Sequence, residues 1–177
     1  SVAFESKPTR EMLNLMFTIM QAEGEPGFVN LEAAGKRRPN AKGLNPCAEI
    51  LLDSYGVCNL TTVNVRAFVM ETEDGYQLDF SGLMQAQALS TRAGIRMTLL
   101  DLELPHWDAV HKRDRLAGTS VTGWYDAMDL LEYTVEQETQ LLQLLEECAN
   151  DTALTYATRL RIPLPLLITT VKPEGTL

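Results

Sequence analysis

Residues 45–59, with the sequence NPCAEILLDSYGVCN, combine residue types that core packing alone does not require. Asn45, Cys47 and Glu49 occupy alternate positions. If this segment is an extended loop, side chains at alternate positions point to the same side, and one small surface carries an amide, a thiol and a carboxylate. Pro46 removes one backbone donor and stiffens the approach to the cysteine.

These three groups have complementary reactivity. The thiol of Cys47 can donate an electron or a hydrogen atom, or attack as a thiolate. The carboxylate of Glu49 can accept a proton, and the amide of Asn45 can hold a hydroxyl by hydrogen bonding. A neighbouring carboxylate opposes thiolate formation, so radical chemistry at sulfur fits this set better than nucleophilic attack. The alternative from the residues alone is a buried cysteine in a turn with incidental polar neighbours.

The other cysteines and the two histidines give weaker signals. Cys58 follows Cys47 by eleven positions, too far for a CxxC motif, and is either a core cysteine or a redox thiol that faces the same cavity. Cys148 lies on the apolar face of a predicted helix and is interpreted as structural. His106 and His111 are five positions apart, which is not the i, i+4 spacing of a zinc helix, so no metal site is predicted.

The composition excludes several functional classes. The sequence has 177 residues, of which 45% are hydrophobic, enough for one medium-sized domain with its own core. A formal net charge of -9 argues against a nucleic-acid or membrane-surface binder, which would be basic, but allows an anionic substrate at a locally positive site. Three cysteines without a visible signal peptide or membrane span predict a reducing, cytoplasmic setting.

Hydrophobic periodicity and turn residues predict an α/β protein built as one domain. Thr9 is predicted to cap a first helix that Gly24 ends, and residues 26–43 are predicted to be a loop. The other predicted elements are strands at residues 57–65, 116–123 and 164–171, helices at residues 79–100 and 136–161, and a turn at residues 172–176.

The last nine residues, TTVKPEGTL, combine a predicted strand with a turn. Backbone N–H groups and a hydroxyl in such a turn can bind a phosphate, and Lys172 adds positive charge. The GxxxxGK[ST] pattern of a P-loop is absent, so the pattern taken alone also fits an ordinary turn.

Taken together, these segments resemble the catalytic subunit of ribonucleotide reductases, and most of all the adenosylcobalamin-dependent (class II) enzymes. The stretch GLNPCAEILLDSYGVCNLTTVN resembles the active-site finger loop of that family. Further stretches that resemble it are GEPGFVN and KRRPNAKGLNPCAE before the loop, RDRLAGTSVTGWYDAM after it, and TTVKPEGTL at the end. The Asn-x-Cys-x-Glu motif with its second cysteine is highly specific and outweighs the buried-cysteine alternative.

The resemblance implies a role for each matching residue. Cys47 would form the thiyl radical that abstracts the 3′ hydrogen atom of the ribose, and Glu49 would be the general base on the 3′ hydroxyl. Asn45 would hold the ribose hydroxyls, and Cys58 would be one half of the thiol pair that reduces the 2′ carbon and becomes a disulfide. The substrate phosphates would be bound by the final turn, chiefly through Lys172, Glu174, Gly175 and Thr176.

The implied fold is a ten-stranded α/β barrel with the finger loop threaded through its middle. Residues 1–177 would be a fragment of this single catalytic domain, with the finger loop at about residues 43–58 and the phosphate-binding turn at residues 172–177. The implied cofactor is adenosylcobalamin, with a radical from an iron or manganese partner subunit as the alternative. The implied partners are a ribonucleoside di- or triphosphate, a thioredoxin- or glutaredoxin-type reductant, the rest of the same protein and, as an open alternative, a second copy in a homodimer.

Because the sequence begins at Ser1 without methionine and stops within a motif, we expect a fragment that is inactive alone, with the partner of Cys58 lying upstream. Two other hypotheses stay open. The first is an inactive relative that acts as a binding or assembly module. The second is a thiol-disulfide redox protein, which would pair Cys47 with Cys58 and would not need Asn45 or Glu49.

Overall fold

The computed structural model describes residues 7–175, in two compact units that divide after Pro39. The first unit contains the helices α1 (Lys7–Glu23) and α2 (Leu31–Arg37). The elements of the second unit are, in order, β1 (Gly43–Leu44), β2 (Leu51–Leu52), β3 (Asn59–Asn64), a short 3-10 helix (Val65–Phe68), β4 (Val69–Thr72), β5 (Gly75–Leu78), α3 (Phe80–Met97), α4 (Pro105–Asp114), β6 (Ala117–Thr122), α5 (Trp124–Leu131) and α6 (Val135–Leu160).

Helix α1 ends where the sequence predicts, but it begins nearer the N-terminus than predicted. Gly24 adopts a left-handed conformation with a φ of 79°, and its N–H donates to the Met20 carbonyl at 2.8 Å, which closes the helix. The predicted cap at Thr9 is wrong, because the helix includes Lys7 and Thr9 lies within it.

Helix α2 contradicts the predicted loop at residues 26–43. Asn30 caps this helix, since its Oδ1 accepts a hydrogen bond from the Ala33 N–H at 3.0 Å. Glu32 in the first turn pairs with Lys36 in the last turn at 2.9 Å. An N-cap asparagine followed by an acid and then by bases is a helix signal, and here it outweighs the surrounding glycines and prolines.

Strands β3 and β6 form a parallel pair in the second unit, in the register Asn59↔Ala117 to Asn64↔Thr122. Both strands lie within the segments predicted for them. Helix α3 follows β3 in the chain and packs against both strands, and α6 packs against α3. This strand–helix–strand order confirms the predicted mixed α/β architecture.

The segment after α6 extends this pair only briefly. One parallel bridge joins Thr119 to Thr169, with the Thr119 N–H donating to the Ile168 carbonyl at 2.8 Å and the Thr170 N–H donating to the Thr119 carbonyl at 3.1 Å. The predicted buried strand at residues 164–171 is therefore wrong in both extent and burial. No strand among residues 7–175 covers its far side, and four of its apolar side chains are exposed: Leu164, Leu166, Leu167 and Val171.

The two faces of the parallel pair carry different side chains, because residues alternate along a strand. Val63 and Val121 face the helices and join a core with Leu83 of α3 and Leu141 of α6. The alternate positions form the opposite face of the pair. Its central members are two hydroxyl residues, a glycine and one leucine, and it is here called the polar face: Thr62, Ser120, Gly118 and Leu60.

The strands of residues 7–175 form three two-stranded sheets and no closed barrel. The ten-stranded barrel that the resemblance implies is therefore not seen in this part of the chain, which shows the coarser mixed α/β arrangement. Within the same range, no helix has the length and apolar character that crossing a lipid bilayer requires.

Replacing Gly118 with valine is expected to destabilise the parallel pair. A Cβ at this position would lie 2.5 Å from Cδ2 of Leu60 and 3.1 Å from Cγ2 of Thr170, so a branched side chain overpacks the polar face. We expect the free energy of unfolding to fall by about 1–3 kcal/mol, measured by urea denaturation of the full-length polypeptide. The control is Gly43→Val, since nothing lies within 4 Å of a Cβ there. Equal losses in both variants would contradict the packing argument.

Candidate active site

The segment that contains Asn45, Cys47 and Glu49 is a tight hairpin between β1 and β2, which pair antiparallel. Beyond the strands, the Asn45 N–H donates to the Ile50 carbonyl at 3.2 Å. The Asn45 side chain closes the loop a second time, because its Oδ1 accepts a hydrogen bond from the Ile50 N–H at 2.9 Å. Ala48 has a φ of 64°, and its N–H donates to the Asn45 carbonyl at 2.9 Å, so the chain reverses here.

This geometry corrects the predicted extended loop. Residues 46–48 form a turn and a bend, so the rule that alternate side chains share a side does not apply to them. Cys47 is exposed at the tip of the hairpin, and Glu49 is half-buried on its returning arm. Asn45 uses its side-chain Oδ1 to hold the loop.

Glu49 carries a buried atom without a partner. Its Oε2 makes no hydrogen bond to any of residues 7–175. Burying a carboxylate oxygen without a partner is costly, so Oε2 is a candidate to accept a hydrogen bond from a bound molecule. The backbone of the same residue is fixed, because its carbonyl accepts a hydrogen bond from the Thr170 hydroxyl at 2.9 Å. The next residue, Ile50, is buried, with Cδ1 3.5 Å from the Cβ position of Gly118.

Cys58 lies just before β3, at a position that alternates with Leu60 and Thr62 and so belongs to the polar face. Burial raises the pKa of the Cys58 thiol, and the charges of Glu49 and Cys47 raise it further, partly opposed by a backbone hydrogen bond of Cys58. The three predicted residues Cys47, Glu49 and Cys58 are therefore close enough to influence one another electrostatically.

Lys172 and Glu174, both predicted to bind phosphate, form a connected cluster on the polar face. The Lys172 N–H donates to Ser120 Oγ at 3.0 Å, and its Nζ donates to Thr62 Oγ1 at 3.2 Å. Glu174 Oε1 receives both Lys172 Nζ at 2.8 Å and the Thr62 hydroxyl at 2.6 Å. Burial raises the pKa of Glu174, but the hydrogen bonds from Lys172 and Thr62 together outweigh it, so its pKa lies below the ordinary value.

Gly175 and Thr176 were also predicted to bind the substrate phosphates. Gly175 is exposed with a φ of 77°, a left-handed conformation that suits glycine, and Thr176 lies outside the described residues. Thr62 and Ser120 are members of the cluster that sequence reasoning missed. The sequence signal that could have found them is a hydroxyl residue within each of two segments that were predicted to be strands. The strand register pairs these two residues with each other.

The returning arm of the hairpin is attached to α4 by charge and by aromatic contact. Asp53 pairs with Arg113 at 2.7 Å. Tyr55 stacks on His106 with ring centroids 5.5 Å apart and meets Trp107 edge-on at 5.8 Å. These contacts fix residues 53–55, which lie between the hairpin and Cys58.

His111 and Asn59 fix the chain immediately after Cys58. Asn59 Nδ2 donates to the Leu116 carbonyl at 2.9 Å and lies 3.0 Å from Nε2 of the buried His111. Burial lowers the pKa of His111, and the charges of Arg115 and Lys112 act in the same direction, although Asp108 opposes them. This pair was missed at the sequence level, where His111 was considered only as a metal ligand.

Cys148 lies apart from the site. It is half-buried on α6, and its Sγ donates to the Met84 carbonyl of α3 at 3.4 Å, in the helical layer on the opposite side of the strands. Its interpretation as a structural residue agrees with this position.

The comparisons with known proteins identify the family. The model of the family "Ribonucleotide reductase, barrel domain" matches residues 1–160. The chain belongs to this family. A relative from Mycobacterium phage D29, provisionally named an adenosylcobalamin-dependent ribonucleoside-triphosphate reductase, is 32% identical over 161 residues, which cover 87% of this chain. A crystal structure of a B12-dependent (class II) ribonucleotide reductase matches 90% of this chain with a TM-score of 0.68 and 20% identity, which shows a shared fold.

The chain spans only part of the length of these relatives. It covers 23% of the phage protein and 26% of the crystallised chain.

Replacing Glu49 with glutamine is expected to make Cys58 react with iodoacetamide at lower pH. The carboxylate is one of the groups that raise the pKa of Cys58, so its removal favours the reactive thiolate. Alkylation rates measured against pH by mass spectrometry would show the Cys58 profile shifted to lower pH. Glu132→Gln, which changes an exposed acid at the end of α5, is the control. An unchanged Cys58 profile in Glu49→Gln would show that the two groups are not neighbours.

His111 is expected to make stability fall on acidification. Its folded pKa lies below the ordinary value of 6.5, so the unfolded chain binds a proton first as the pH drops. The unfolded state is then favoured, and the free energy of unfolding decreases as the pH falls below about 6.5 and towards the folded pKa. Urea denaturation between pH 8 and pH 5 should show a smaller decrease for His111→Gln. The same slope in both proteins would rule out this residue as the source.

Proposed function

We propose that this chain is the catalytic region of a ribonucleotide reductase that converts ribonucleotides into 2′-deoxyribonucleotides by thiyl-radical chemistry. The observation that carries the proposal is the grouping of Cys47, Glu49 and Cys58, in which one carboxylate oxygen of Glu49 is buried without a partner. Each group supplies one requirement of the reaction: a sulfur that exchanges a hydrogen atom, a base, and a reducing thiol.

The proposed reaction begins and ends at Cys47. As a thiyl radical, Cys47 takes the 3′ hydrogen atom of the ribose, while Glu49 accepts the proton of the 3′ hydroxyl. The 2′ hydroxyl then leaves as water, with a proton from a thiol. Cys58 and a second thiol supply two electrons and two protons, one proton to the leaving hydroxyl and one to C2′, and become a disulfide. Glu49 returns its proton to the 3′ oxygen, and Cys47 returns its hydrogen atom to C3′ and is again a thiyl radical. The balance is one ribonucleotide and two thiols giving one deoxyribonucleotide, one disulfide and one water.

The remaining groups orient the substrate. The Nδ2 group of Asn45 is proposed to donate to a ribose hydroxyl, since Oδ1 of the same amide already holds the hairpin. The second thiol is proposed to come from a part of the full-length protein that the 177 residues do not include, because Cys148 lies in the helical layer. The same larger protein would complete the single barrel domain around the polar face and would accept electrons from a thioredoxin- or glutaredoxin-type reductant.

Adenosylcobalamin is proposed as the source of the radical, on the basis of the names of the two relatives. When bound, this cofactor supplies a carbon-centred radical that can accept a hydrogen atom from a thiol. The exposure of Cys47 at the tip of the hairpin fits such an exchange, because the sulfur can be reached from outside the loop. Tritium placed at the 5′ carbon of the cofactor should pass to water with the wild-type polypeptide and not with Cys47→Ala. Equal exchange in both would contradict the assignment of the radical to Cys47.

Loss of Cys47 or Cys58 is expected to abolish reduction by the full-length polypeptide. We expect Cys47→Ala and Cys58→Ser to form no deoxyribonucleotide, and Glu49→Gln to lose about two orders of magnitude in rate, the usual contribution of a general base. Deoxyribonucleotide formation is measured by chromatography with a dithiol reductant. Cys148→Ala is the matched control and should retain the wild-type rate.

The same variants separate the alternatives. A thiol-disulfide redox protein would retain its reducing activity in Glu49→Gln and Asn45→Ala, since only Cys47 and Cys58 would matter. A binding or assembly module would show no reduction even in the wild-type polypeptide.

Replacing Glu174 with glutamine is expected to strengthen binding of the substrate. Glu174 binds both Lys172 Nζ and the Thr62 hydroxyl, the donors that a phosphate would use. Without the Glu174 charge, these donors are free to bind a phosphate, and we expect the Kd for the nucleotide to be several-fold lower. Lys172→Met removes one donor and should raise this Kd roughly tenfold. Equilibrium dialysis with a ribonucleoside triphosphate measures both. Weaker binding in Glu174→Gln would mean that this acid supports the substrate.

A further inference from the structure

A groove with three arginines lies on the helical side of the second unit. It is formed by the C-terminal halves of α3 and α6 and has a volume of about 400 Å³. Helix α3 covers the face of β3 and β6 opposite to the polar face, and α6 packs against α3, so the groove is distinct from the candidate active site. Its lining includes Arg92, Arg96, Arg159 and Tyr156, with Leu89 and Leu160 as apolar walls.

Tyr156 positions two of the three guanidinium groups. Its hydroxyl accepts a hydrogen bond from Arg96 Nε at 2.8 Å. The guanidinium carbon of Arg92 lies 5.9 Å from the centre of the Tyr156 ring, within the range of a cation–π contact. Arg92 and Arg96 are one helical turn apart on α3, so two like charges are held side by side.

The positive charge of this groove is not neutralised by the part of the chain that the structure describes. None of Arg92, Arg96 and Arg159 forms an ion pair with a carboxylate of residues 7–175, and no acidic residue lines the groove. The sequence has 24 acidic residues against 15 basic ones, so acids would be expected beside such a cluster if it were an ordinary charged surface. The two neighbouring like charges favour an anion between them.

We propose that the groove binds a polyphosphate anion, at a site separate from that of the substrate. Guanidinium groups present planar pairs of N–H donors that match phosphate oxygens, and several of them together suit a chain of two or three phosphates. The apolar walls formed by Leu89 and Leu160 would contact the remainder of a nucleotide. The proposal does not depend on the chemistry at Cys47.

Calorimetric titration of the full-length polypeptide tests the proposal, with inorganic pyrophosphate and ATP as two separate probes. Binding of pyrophosphate should be about tenfold weaker in Arg96→Ala and in Arg92→Ala. It should weaken less in Tyr156→Phe, which keeps the ring but not the hydroxyl that holds Arg96. Because ATP could also occupy the proposed substrate site, the two probes are compared by the part of their binding that Arg96→Ala removes. If that part is tighter for ATP, the ligand is a nucleotide; if it is equal for both probes, the groove recognises the phosphate chain alone.

Two controls separate this groove from other anion sites. Lys36→Ala removes the same unit charge from an exposed helix and should leave the titration unchanged. Lys172→Met removes the lysine of the proposed substrate site. The pyrophosphate binding that is lost in Arg96→Ala should be unchanged in this variant. The proposal is overturned if pyrophosphate does not bind, or if Arg92→Ala and Arg96→Ala bind it as well as the wild type does while circular dichroism shows them folded.

Discussion

Gly118 has no side chain, and the space beside it is occupied by groups from three parts of the chain. Leu60 of β3, Ile50 of the hairpin and Thr170 of the last segment all approach the position where a Cβ would stand. Thr170 then binds the backbone of Glu49 through its hydroxyl, which ties the hairpin to the segment that leads to Lys172. A larger residue at position 118 would push the hairpin away from the strands. The thiols, the carboxylate of Glu49 and the segment that carries Lys172 would then no longer share one surface.

The charges of this surface favour hydrogen-atom chemistry over nucleophilic attack. Burial, Glu49 and Cys47 all raise the pKa of Cys58, so at neutral pH this sulfur remains a protonated thiol. A thiolate nucleophile would need a nearby cation, and Lys172 is already paired with Glu174. A protonated thiol can supply both a proton and an electron, which is what removal of a hydroxyl as water requires. In the proposed reaction, the carboxylate of Glu49, whose Oε2 is buried without a partner, would be the base at the same place.

The sequence was informative where local signals and the energetics of the fold agreed. The strands β3 and β6 and the helices α3 and α6 coincide with β-branched runs and apolar periodicity, because packing against one core determines both. Helix α2 was missed because a single N-cap, Asn30, decided the conformation of a segment rich in glycine and proline. The partners of Lys172 and Cys58 could not be predicted, since Thr62, Ser120 and Glu49 reach them through strand register and hairpin folding.

The motif around Cys47 was recognisable from residue types, but its geometry was not. Alternation predicted one shared side in an extended loop, whereas the left-handed Ala48 and the side chain of Asn45 fold the segment into a turn. The grouping with Cys58 arises from contacts with the polar face. Such contacts join residues that are far apart in the chain, so a short sequence motif does not predict them.

The central claim is that Cys47 acts on the 3′ carbon of the ribose. It is tested most directly by supplying the full-length polypeptide with a ribonucleotide that carries tritium at C3′. We expect wild-type turnover to discriminate against tritium at this carbon, and Cys47→Ala to leave the 3′ bond intact and to form no deoxyribonucleotide. Reduction by Cys47→Ala, or wild-type turnover without discrimination at C3′, would contradict it.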